Sequence, residues 1–117
     1  MANNVAATVT GKRIKGFDGS VHSFVLDTGD DSKPLENLTN KKNISVQVIG
    51  TIAGSTVTVQ GSNDGTNWAT LKDTQGADIA LTAVGLKTVV DRPVFMRAII
   101  SGGTAADMTV IFAVAGD

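Results

Sequence analysis

The chain has no cysteine and no tyrosine, one histidine, one tryptophan and two prolines among its 117 residues. Each scarcity closes a route. Without cysteine there is no disulfide framework and no thiolate metal site, and nothing requires an oxidising compartment. The one histidine, His22, has neither a second histidine nor a cysteine to complete a metal site or to activate a nucleophile. With apolar Val21 and Phe24 close by in sequence, it reads as an ordinary strand residue. No serine stands in a Gly-x-Ser-x-Gly turn, which removes acyl transfer, and neither a Gly-x-Gly-x-x-Gly nor a Walker array is present to hold a phosphate. No apolar run approaches the roughly 20 residues that cross a bilayer. The start, Met1 to Val5, lacks the charged and apolar segments of a secretory leader, so a soluble product made in the cytosol is expected, with no membrane partner. Net charge is −1 and the basic residues are scattered, so no basic stripe suggests a nucleic-acid partner.

What is present points to β structure. Hydrophobic residues make up 42% and charged residues 18%, a balance that supports a packed core, and 13 glycines beside abundant Thr, Val, Ile and Ala suit short strands joined by tight turns. At this length one domain is expected. Ile44, Val46 and Val48 alternate with Ser45 and Gln47, the period of a half-buried strand. After Ala53-Gly54-Ser55, Val57 and Val59 alternate with Thr58 and Gln60, which predicts the returning arm of an antiparallel hairpin. A polar loop from Ser62 to Asn67 leads to a short strand from Trp68 to Leu71. Further strands are expected around Ile79 and Leu81, over Leu86–Val90, over Val94–Ile100 and from Met108 to Val114. The run at Val94–Ile100 is apolar on both sides apart from Arg97, as in a central strand covered on each face.

Before residue 43 the pattern is less regular. Val21–Leu26 predicts a strand, and Thr28–Lys42 reads as a long loop in which Pro34 to Leu38 suits a helical turn. No window elsewhere has helical apolar spacing together with capping signals. The expected fold is therefore all-β, an antiparallel β-sandwich or jelly-roll-like single domain (residues 1–117) of about seven to nine strands. Residues 43–117 would form its core sandwich, and residues 1–42 an arm and a long loop.

Candidate site residues are few. Ten of the eleven carboxylates are aspartates, set beside Gly, Thr, Ser or Asn where turn hydrogen bonds account for them. Asp30-Asp31, and Asp64 with Asn63 and Asn67, gather oxygens of the kind calcium uses, though neither has the spacing of an EF-hand. Trp68 reads as a cap on the sandwich core, the alternative being a platform for stacking sugars. Arg97, charged in the middle of an apolar strand, needs a partner, for which Asp91 and Asp107 are the candidates, or a position at an interface. No catalytic residue, metal or cofactor is assigned.

The stretch from Val57 to Trp68, Val-Thr-Val-Gln-Gly-Ser-Asn-Asp-Gly-Thr-Asn-Trp, followed by Leu71 and by Phe95-Met96-Arg97-Ala98-Ile99, resembles a motif of small virion structural proteins of tailed bacteriophages. The resemblance covers about residues 43 to 117. Similar Gly-Ser, Asp-Gly and Trp hairpins occur in carbohydrate-binding and discoidin-like sandwiches, so a carbohydrate- or receptor-binding module of a tail or fibre protein stands as the alternative. What the resemblance implies is a non-enzymatic capsid decoration, or cement, protein located in the virion. Such a protein binds the major capsid protein or other virion proteins through many copies, and closed symmetry favours a trimer over a dimer. The small, β-prone segment Ala2 to Thr10, with Ala2, Asn3, Asn4 and Val5 at its start, is suited to reach a neighbouring subunit as an added strand.

Overall fold

The alternating apolar runs fold as strands in the computed structural model, which describes residues 8–10, 19–27, 29–36, 43–50, 52, 54–104 and 108–115. In chain order the strands are β1 (Thr8–Thr10), β2 (Gly19–Leu26), β3 (Leu35–Glu36), β4 (Asn43–Ile49), β5 (Thr56–Ser62), β6 (Ala69–Thr70), β7 (Ala80–Leu81), β8 (Gly85–Thr88), β9 (Phe95–Ser101) and β10 (Met108–Ala115). There is no helix among the described residues. One sheet has the order β1-β2-β10-β4-β8 and the other β3-β9-β5-β6, with β7 also paired to β5, and every pairing is antiparallel. If β1 is set aside as an addition and β6 and β7 are taken as two pieces of one interrupted strand, the order β2-β10-β4-β8 against β3-β9-β5-β6 is that of a jelly roll.

The core lies between the sheets and takes alternate residues from both. Ile44, Val46 and Val48 of β4 and Phe112 of β10 meet Val57 and Val59 of β5 and Met96 and Ala98 of β9, all fully buried. Phe24 and Phe112 pack edge to face with ring centroids 5.9 Å apart. The core is not confined to residues 43–117, since Phe24, Leu26 and Leu35 belong to the same cluster.

Three expectations need correction. First, β4 and β5 do not form a hairpin: β4 pairs with β10 and β8, and β5 with β9, in the opposite sheet. Alternation shows that each strand buries one face; it is silent on which neighbour accepts the hydrogen bonds. The connection is an arch between layers, turned by Gly50 and Gly54 at φ 106° and 80° and closed by the Ser55 amide donating to the Ile52 carbonyl at 2.9 Å.

Second, Gly29 to Glu36 is not loop and turn but an irregular edge strand along β9. The Gly29 amide donates to Ile100 O, the Ile100 amide to Asp30 O and the Ser32 amide to Ala98 O, at 2.8–3.0 Å. The Ala98 amide then donates to the Ser32 hydroxyl at 2.8 Å, a side chain standing in for a carbonyl. Leu35 and Glu36 finish the run opposite Met96 and Phe95, so no helical turn forms at Pro34 to Glu36, and residues 37 and 38 lie outside the described residues. An edge tolerates Pro34 because its outer side needs no donor. Third, β9 is covered tightly on one face only: Met96, Ala98 and Ile100 are buried, whereas Phe95, Arg97 and Ile99 are half-buried on the outer side.

Candidate functional site

The outer face of the β3-β9-β5-β6 sheet holds the densest cluster of functional groups, centred on Arg97. Register places Gln60 of β5 directly opposite Arg97 of β9, and the Arg97 Nε–H donates to Gln60 Oε1 at 3.0 Å. On the other side Arg97 Nη1 lies 3.5 Å from Asp31 Oδ2, and the guanidinium carbon stands 4.2 Å from the centroid of the Trp68 ring. Arg97 is thus held from three directions, which offsets the loss of solvent around its charge. Its ionic partner is Asp31, not Asp91; Asp107 lies outside the described residues. Trp68 is half-buried against this outer surface under the guanidinium, which corrects the expectation that it caps the core.

Next to this cluster, the Ser62–Asn67 loop is organised around Asp64. Its Oδ1 accepts the Ser62 hydroxyl and the amides of Thr66 and Asn67, each at 2.8 Å, and its Oδ2 accepts the Asn67 side-chain amide at 2.7 Å. The amides of Asn67 and then Thr66, followed by the side chains of Asn67 and Ser62, hold the Asp64 carboxyl well below the usual carboxylate range. Asn63 turns away, its Oδ1 accepting the Val94 amide at 3.1 Å. Asn63, Asp64 and Asn67 therefore do not converge on a common point. They stitch the turn together and tie it to the start of β9.

Between this loop and Asp91–Pro93 opens a cleft of about 470 Å³, floored by Gly61 and Leu71. Arg92 lines it, but the guanidinium is engaged with the chain, donating to the carbonyls of Val89, Val90 and Asp91 at 2.6, 2.9 and 3.1 Å. Among the described residues of the lining, Asp91 is the only carboxylate. No group of three or more His, Cys, Asp or Glu able to hold a metal occurs among the described residues. A second cavity of about 450 Å³ lies beside β8, where Lys87 reaches Asp73 at 3.5 Å and the Asp73 carboxylate also accepts the Gln75 and Ala77 amides. The Ala77 and Gln75 amides are the main reason its carboxyl is held low.

Ala2, Asn3, Asn4 and Val5 lie outside the described residues. The end of their segment, Thr8–Thr10, pairs with β2 of its own chain (Thr8 opposite Ser23, Thr10 opposite Val21) and so adds a strand to its own sheet. Sequence reading missed Asp31 as the partner of Arg97, and missed Gln60 and Ser32. Gln60 and Arg97 are 37 positions apart, and Ser32 and Ala98 are 66 apart, so only the strand order brings them together.

Architecture and surface together define a jelly-roll sandwich whose functional groups are displayed on open sheet faces and shallow clefts. No family model and no curated protein matches the sequence. Among solved structures the chain is similar to the SPBc2 prophage-derived protein YomS, with a TM-score of 0.62 and 9% identity over 82% of this chain and 93% of that one. It is also similar to a cupin domain from Bordetella pertussis Tohama I, with a TM-score of 0.54 and 11% identity over 99% and 98% of the two chains.

Proposed function

We propose that this protein is a non-enzymatic structural component of a phage virion, a decoration protein that binds the outer surface of the head and strengthens it through many equivalent contacts. The observation that carries the reading is the fold-level likeness to a prophage-derived protein over most of both chains. It joins the resemblance, over about residues 43 to 117, to the motif of small virion structural proteins. The surface is consistent with this role: Arg92, Asp64 and Asn67, which a ligand would use, are committed to carbonyls or to each other. A surface of this kind works by shape and repetition, gaining avidity from a lattice.

Carbohydrate binding is the competing use of the same surface. It needs an indole face free for a sugar ring, and one face of Trp68 carries the Arg97 guanidinium. Purified protein mixed with phage heads that lack it should co-sediment and saturate, with tryptophan emission unchanged by added sugars or calcium. Failure to co-sediment, together with a saturable fluorescence response to a sugar, would replace this reading with the binding module.

A further inference from the structure

The outer face of the other sheet has the opposite character: from β2 across β10 and β4 to β8 it presents no charged side chain. Register sets Val25, Thr109 and Ile49 in one row, and Ser23, Ile111, Gln47 and Leu86 in the next. Leu86 is 63% exposed, Val25 54% and Ile49 42%, so three large apolar groups stand in water on this one face. The ionisable residues of these strands are turned away. Lys87 alternates to the inner side, where it meets Asp73, and His22 falls on the inner side opposite Phe112. Among the described residues charge appears at the rim, with exposed Asp27 just past the end of β2, so the patch is an uncharged surface in which apolar groups alternate with Ser, Thr and Gln.

We propose that this face binds the same face of a second copy of the chain, making a twofold dimer in which two jelly rolls stack sheet on sheet. A twofold contact sets each surface against itself, so a charged face repels its own copy and an uncharged one does not. A charged foreign surface would be desolvated here with nothing to pair it. With eight residues each in β2 and β10, seven in β4 and four in β8, the face covers roughly 430 Å², and with side-chain relief two copies bury on the order of 1,000 Å², the small end of specific interfaces. The dimer is therefore expected to dissociate on dilution. A flat face pairs copies in twos, where symmetry considered from the sequence alone favours three.

The inference stands on this face alone and is independent of the virion reading. In sedimentation velocity the wild-type chain should pass from monomer to dimer with rising concentration. Ile49→Glu with Leu86→Glu should remain monomeric throughout with an unchanged melting temperature, since both positions are exposed. Mixing a chain with Ile49→Glu and Leu86→Glu with a chain with Ile49→Lys and Leu86→Lys should restore a dimer, because self-pairing brings the opposite charges into one interface. A wild-type chain that stays monomeric at every concentration overturns the proposal, as does an oligomer whose mass survives the double substitution. Co-sedimentation of the double variant with phage heads reports on the virion reading separately, because that contact does not require this face.

Discussion

Arg97 illustrates how much a single side chain depends on its surroundings. Its guanidinium touches a carboxylate, an amide oxygen and an indole at once. Lysine keeps the charge but loses the planar stacking and the fixed fork, so Arg97→Lys is expected to cost about 1–2 kcal/mol in urea unfolding and to alter the Trp68 emission. Two glycines are irreplaceable for different reasons. A Cβ on Gly61 would stand 2.6 Å from Pro93 Cγ and 2.8 Å from Leu71 Cδ2, so Gly61→Val should destabilise by about 1–3 kcal/mol through overpacking. Gly76 has open space around it but φ +81°, so Gly76→Ala should cost about 1 kcal/mol from the backbone alone. Titration adds a third handle. Burial lowers the His22 pKa from its ordinary 6.5, so the unfolded chain takes up that proton more readily; stability is full above pH 6.5 and declines as pH falls through it. Asp64 and Asp73 are depressed from 3.8, so their contribution is present above that pH and lost below it. Melting temperature against pH should therefore fall in two stages, and His22→Gln should remove only the first.

At the scale of strands, periodicity was informative about faces and uninformative about neighbours. The alternation in β4, β5 and β10 identified Val46, Val59 and Phe112 as core, and the short strands at 69–70 and 80–81 fell where the turns predicted. The hairpin between β4 and β5 failed because an arch across the sandwich and a hairpin within one sheet bury the same alternate residues. Residues 29–36 were illegible for a related reason: an edge strand shielded from further pairing uses Gly, Asp and Pro, residues that otherwise mark loops. The Arg97 cluster was half legible, its charge conspicuous in an apolar run but its partners set by register and by an edge strand 66 residues away. Because the chain has no cysteine, the two topologies can be separated cleanly with engineered pairs. Thr58→Cys with Ile99→Cys, opposite each other in the β5–β9 ladder, should oxidise to a disulfide. Gln47→Cys with Thr58→Cys, which a hairpin would place on one shared face but which lie on outer faces of opposite sheets here, should remain free thiols.

The whole molecule is two-sided. One outer face carries Arg97, Asp31, Gln60 and Trp68 with a cleft alongside, and the other carries an uncharged surface centred on Ile111. Under the proposed function and the proposed dimer, such a body would hold a copy of itself on one side and a lattice on the other. The core between the faces must survive without disulfides, and it rests on the Phe24 and Phe112 pair and the valines around it. Truncating Phe112 to alanine should cost about 3–5 kcal/mol and leave much of the chain unfolded at 37 °C. The proposed virion role is tested most directly by quantitative mass spectrometry of density-banded particles from a lysate in which this chain is expressed from its native genome. The account predicts the protein in the particle band at a fixed ratio to the major capsid protein. Its presence in the infected lysate but absence from the particles would contradict it.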